Sequence, residues 1–122
     1  MFAIVLRKAY GLGAQAMAGG STLAPVFCAA WPTGEFGGMG LEGAVRLGYR
    51  RELEAETDPA ARKALFDKLL GNLYGAGKAI NVAAMLEIDA VIDPAETRKW
   101  ISQGLKTCGA RHSPRRRFVD AW

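Results

Sequence analysis

Two short glycine-bearing stretches are the parts of this 122-residue chain whose residue types could do chemistry. In the first, Gly11-Leu12-Gly13 follows an apolar run and leads into the small, helix-forming Ala14-Gln15-Ala16-Met17. In the second, Phe36-Gly37-Gly38-Met39-Gly40 leads into Leu41 and a helical pattern. A turn of this kind leaves backbone N–H groups free at a helix N-terminus, with the helix dipole behind them. Such amides stabilise an oxyanion, and glycine lets a substrate carbonyl come close to the backbone. On residue types alone the same pattern also fits a turn kept small for packing. A nucleotide-cofactor site fits poorly, because Gly11-x-Gly13 lacks the third glycine of the dinucleotide fingerprint and an acidic residue placed for a ribose.

The remaining reactive side chains offer less. Glu35 and Glu42 flank the second stretch and are the carboxylates best placed for acid-base work. His112, the sole histidine, lies in the terminal stretch, where a solvated role is expected. Cys28 and Cys108 are far apart and have no second cysteine or histidine at metal-ligand spacing, so reduced structural thiols are expected and zinc is not. The net charge of +4 is concentrated in Lys106, Arg111, Arg115, Arg116 and Arg117. A basic tail over 108–122 can meet nucleic acid, an anionic membrane or a phosphate-bearing ligand, or be solvated. With no aromatic-interleaved basic patch elsewhere, no nucleic-acid partner is expected.

The elements that would position these residues read as α/β. Half the residues are hydrophobic, enough for a folded core. Phe2-Ala3-Ile4-Val5-Leu6 and Ala24 to Trp31 are continuous apolar runs of the kind buried on both faces of a parallel sheet. Both are well short of a membrane span, so no membrane role and a cytoplasmic location are expected. Glu35 to Met39 fits a short extended segment. From Leu41 the spacing of Leu41, Ala44, Val45 and Gly48 is helical. Asp58-Pro59 supplies a cap and first turn for a helix whose stripe is Ala61, Ala64, Leu65, Leu69 and Leu73, ending near Gly75 or Gly77. Ala79 to Leu86 predicts a further helix and Ala90 to Ile92 a short strand. Asp93-Pro94-Ala95-Glu96 predicts a capping box before a last helix that buries Thr97, Trp100, Ile101 and Leu105.

Four motifs carry a family resemblance. Arg7-Lys8-Ala9-Tyr10-Gly11, then Ala30-Trp31-Pro32-Thr33-Gly34-Glu35, then Met39-Gly40-Leu41-Glu42-Gly43-Ala44-Val45, and finally the run from Ile88 to Arg98 occur in order. Together they resemble the C-terminal domain of the carboxyltransferase (β) subunits of propionyl-, acetyl- and methylcrotonyl-CoA carboxylases. The resemblance implies a partial crotonase-like spiral of ββα units, with residues 1–107 as the C-terminal portion of the C-domain. It implies transfer of carboxyl from carboxybiotin to the α-carbon of an acyl-CoA, with this domain on the biotin side. Biotin would arrive on a biotin carboxyl carrier charged by a biotin carboxylase component.

By position, the family's Gly-Gly-Ala falls on Gly11-Leu12-Gly13, so the resemblance implies that the Leu12-Gly13 peptide forms the oxyanion hole. Leucine stands where the family has its middle glycine, which suits an ordinary negative φ and not a positive one. Gln15 falls where the family faces its acyl and biotin pocket, an exposed helix glutamine being the alternative. Phe36, Gly38 and Gly40 are expected to line the biotin cleft. Biotin itself acts as base in this family, so Glu35 and Glu42 are not expected to be catalytic. A complete domain needs more ββα units than 122 residues supply. An N-terminal carboxyltransferase portion and a homo- or hetero-oligomer are therefore expected, and the isolated chain is expected to be inert. A non-catalytic assembly module and a biotin-dependent acyl-CoA decarboxylase subunit are the alternatives.

Overall fold

A computed structural model describes residues 1–108 of the chain, leaving His112 and most of the basic tail outside the described residues. Two ββα units come first: β1 (Ala3–Val5), β2 (Lys8–Tyr10) and α1 (Gly11–Met17), then β3 (Cys28–Ala30), β4 (Glu35–Gly37) and α2 (Leu41–Gly48). After them run α3 (Arg50–Ala55), α4 (Pro59–Ala76), α5 (Ala79–Ala84), β5 (Ala90–Val91), a 3₁₀ turn (Pro94–Glu96) and α6 (Thr97–Thr107). The first strand of each unit joins a parallel sheet of order β1-β3-β5, and the second strands pair as a separate parallel ladder, β2-β4. No described helix is long and apolar enough to cross a membrane.

The central strand explains why the apolar run at 24–31 carries no alternation. Cys28 and Ala30 face a core with Ala79, Val82 and Ile88, while Phe27 and Ala29 face another with Ile92, Trp100 and Ile101. Small residues here let α5 and α6 close on opposite faces of β3. The strand itself is only Cys28–Ala30, shorter than the apolar run. β1 is half-buried, pairing with β3 along one edge, and is thus not the doubly covered strand its composition predicts.

Helix caps follow the sequence closely at one site and only in part at another. The Asp58 carboxylate accepts from the N–H groups of Ala60 (3.3 Å) and Ala61 (3.1 Å), with Pro59 opening α4. Asp93 likewise accepts from Ala95 N (2.8 Å). The capping box does not close: Pro94–Glu96 forms a 3₁₀ turn, and the Glu96 carboxylate lies 3.5 Å from Lys99 Nζ instead. On α6 the buried position of the last turn is Gly104 and not Leu105, which is 59% exposed. The rings of Phe2 and Phe27, stacked 4.9 Å apart, lie directly over Gly104, so any Cβ there would meet them within 3 Å.

Candidate functional site

The site begins where the β2-β4 ladder ends. Tyr10 pairs with Gly37 at the last register position, and there the two chains part, one into α1 and the other into the Gly38-Met39-Gly40 loop. Gly11 makes the turn with φ +64°, a left-handed conformation that costs a side chain about 1–2 kcal/mol. A Cβ on it would also sit 3.2 Å from the Gly38 carbonyl oxygen. Leu12 has no positive φ, so a leucine at that position is accommodated, and its side chain is 81% exposed. Within α1 the amides of Leu12 and Gly13 belong to the first turn and have no partner inside the helix. With seven residues α1 contributes little macrodipole, so any anion stabilisation falls to those amides themselves.

A cleft of about 550 Å³ opens beside this turn, within the size range of small-molecule sites. Gly11, Leu12, Gln15, Phe36 and Gly38 all line it, so five of the seven residues singled out from sequence come together. Gly13 lines a neighbouring concavity of about 640 Å³, between α1 and the exposed flank of β1 and β2. Gly40 lines neither cavity and is the N-cap of α2. Sequence reasoning missed the far wall, made by Leu73 and Ala76 of α4 with Val82 and Met85 at α5, and the polar rim of Ser21, Thr22 and Glu87.

The two carboxylates beside the second glycine stretch lie outside the cleft lining, and each is engaged by a tyrosine. Tyr10 Oη donates to Glu35 Oε2 at 2.9 Å, and Tyr74 Oη donates to Glu42 Oε1 at 3.3 Å. Burial, then the bond to Glu35 and its charge, push the Tyr10 phenol up to about 12. Tyr74 is raised by desolvation and by Glu42. Both tyrosines are therefore neutral donors near neutral pH. Cys28, whose thiol burial and Asp89 push up, is tied by backbone: its N–H donates to Asp89 Oδ2 at 2.7 Å. It touches neither cavity.

Comparison with known families places this geometry. The carboxyl transferase domain matches residues 1–118. The chain belongs to that family. Among its relatives, the methylmalonyl-CoA carboxyltransferase 12S subunit of Propionibacterium freudenreichii subsp. shermanii is 36% identical over 112 residues, covering 92% of this chain and 21% of its own length. The transcarboxylase 12S crystal structure, described for its hexamer assembly and with methylmalonyl-coenzyme A bound, matches at TM-score 0.78 and 32% identity. It covers 99% of this chain and 23% of that one. A single-chain, multi-domain long-chain acyl-CoA carboxylase is 60% identical at TM-score 0.66, over 82% of this chain and 9% of that one.

The chain thus spans about a fifth of the length of the curated carboxyl transferase relatives it matches. It fits the C-terminal part of a β subunit. Its α/β architecture, two ββα units with their strands sorted into two parallel ladders, is a partial crotonase-like spiral. Relatives are named as biotin-dependent carboxylase subunits and belong to multi-subunit or multi-domain assemblies.

Proposed function

We propose that this chain supplies the biotin-facing side of a carboxyltransferase site, in which carboxyl passes from carboxybiotin to the α-carbon of an acyl-CoA. The observation that carries this reading is the cleft at the end of the β2-β4 ladder, with the first-turn amides of α1 at its edge. Gly13 and Gly38 have no neighbour within 4 Å of an added Cβ, so their backbones are open to a ligand. That openness fits a flat bicyclic urea whose oxygen has to approach peptide N–H groups. Carboxybiotin supplies the carboxyl group when its carrier domain delivers it.

In this reading the N–H of Leu12, which lines the cleft, and that of Gly13, the next residue and on the side of the neighbouring concavity, donate to the urea oxygen and favour the negative charge it gains in the transition state. Phe36 and Gly38 line the cleft beside them, and Leu73, Val82 and Met85 give it an apolar far wall. Gln15 reaches the mouth, where it can bias which acyl chain is accepted. The hole for the thioester oxygen belongs to an N-terminal carboxyltransferase portion, and the biotin carboxyl carrier and biotin carboxylase components complete the assembly. The cytoplasm is the compartment in which we place it.

The test is reconstitution. The isolated chain is expected to be oligomeric or aggregation-prone, since β1 leaves an open edge and Leu12, Met17 and Leu86 are each over four-fifths exposed. It is expected to be inert with carboxybiotin and propionyl- or acetyl-CoA until a polypeptide carrying the N-terminal portion is added. A well-behaved monomer that carboxylates acyl-CoA unaided would overturn this reading.

A further inference from the structure

Four polar side chains surround the cleft without entering it. Tyr10, Glu35, Glu42 and Tyr74 are absent from its lining, yet each is the immediate chain neighbour of a residue that lines it: Gly11, Phe36, Leu41 and Leu73. They pair across elements, Tyr10 of β2 with Glu35 of β4 at 2.9 Å and Tyr74 of α4 with Glu42 of α2 at 3.3 Å. The first bond is diagonal in the ladder, because Lys8 is the residue opposite Glu35 and Gly37 the residue opposite Tyr10. It therefore runs along the whole three-rung ladder, from Tyr10 at the pair where the strands part back to Glu35 at the first pair. The Tyr10 ring also packs on Gly37, where a Cβ would lie 3.3 Å from Tyr10 Cδ1.

We propose that Tyr10 and Glu35 are positioning residues, whose hydrogen bond fixes the separation between the Gly11–Gly13 turn and the Phe36–Gly40 loop and so sets the width of the cleft. A short ladder of three residue pairs constrains its own splayed end weakly, and the bond ties Tyr10, at that end, back to Glu35 at the base of β4, holding β2 and β4 in register as they enter the turn and the loop. Burial and Glu35 keep the phenol protonated, so the bond persists across the working pH range. Tyr74 and Glu42, longer and more exposed, tie the outer helices and carry less of this role. The inference rests on the biotin-side reading of the cleft.

The experiment uses the complete carboxyltransferase containing this segment, with free biotin as acceptor and malonyl- or methylmalonyl-CoA as donor. Tyr10→Phe should raise KM for biotin about tenfold, because misplacement of order 1 Å is costly, with KM for the thioester and the melting temperature little changed. Glu35→Leu should do the same, and the double variant no more, since the two residues share one interaction. Glu35→Gln, whose amide oxygen still accepts the hydroxyl, should rescue the biotin KM. A Tyr10→Phe enzyme with wild-type kinetics would overturn the proposal, as would kinetics and melting temperature falling together for both substrates. A wild-type enzyme without biotin-dependent turnover would sink the biotin-side reading itself, and this proposal with it.

Discussion

The two glycine stretches look alike in sequence but divide the same way in space. At the first, Gly11 is held by its own geometry: a positive φ and the Gly38 carbonyl leave no place for a Cβ, whereas Gly13 meets nothing within 4 Å. At the second, Gly37 is enclosed by Leu41, Met39 and Tyr10, whereas Gly38 and Gly40 are open. Each stretch thus contains one glycine that packing explains and at least one that it does not. The enclosed glycines bring the stretches together, and the open ones at Gly13 and Gly38 are where a ligand can approach the backbone.

That division can be broken by exchanging the two kinds. Gly37→Ala places a Cβ 2.9 Å from Leu41 Cδ2, and overpacking of this sort costs about 1–3 kcal/mol. Thermal denaturation of the assembled protein should show the loss. Gly38→Ala has open space around it and should leave the melting temperature close to wild type. Equal destabilisation by both would erase the distinction between them.

A smaller effect is expected at the mouth of the cleft. Gln15 lines it from the exposed face of α1, so Gln15→Ile or Gln15→Asp should change the ratio of kcat/KM between short acyl-CoA substrates. A few-fold to about a hundredfold is the range for a one-methylene difference. A fixed ratio in a stable variant would leave Gln15 as an ordinary surface glutamine. Smallest of all is the alkaline signature of Tyr10. Its phenol is raised from 10.0 to about 12, so the unfolded chain loses this proton first. Stability from this group is full below pH 10 and falls as pH rises toward 12, where ultraviolet difference absorbance should show a tyrosine titrating late. Tyr10→Phe should remove that late step.

Much of the scaffold was legible because single residues decide it. Asp58-Pro59 starts a helix by local chemistry alone, and the unbroken apolar run before Trp31 announces a strand covered on both faces. β2 was not legible: Lys8-Ala9-Tyr10 is three residues long, and only its partner Glu35-Phe36-Gly37, 27 positions on, makes it a strand. The far wall of the cleft was hidden for a different reason. Leu73 and Val82 sit on helical stripes, and a stripe looks the same whether it covers a core or lines a cavity. Glu35 and Glu42 stand out in the sequence as the carboxylates beside the second stretch, but their tyrosine partners come from strand register and helix packing, which no spacing in the sequence announces.

The most direct test of the account removes one N–H without adding bulk to the cleft. Gly13 is the third residue of α1, where its N–H has no intrahelical acceptor. Gly13→Pro in the complete carboxyltransferase therefore deletes the proposed hole donor without breaking a helix hydrogen bond. The melting temperature checks that the helical turn at Leu12, which a following proline disfavours, is kept. Carboxyl transfer and melting temperature are measured beside Gly13→Ala, which keeps its N–H and meets no neighbour. Turnover of the proline variant should fall about 10²-fold or more below that of the alanine variant, the size of losing one oxyanion donor. Equal turnover in two equally stable variants would contradict the assignment of the Leu12-Gly13 peptide to the reacting oxygen.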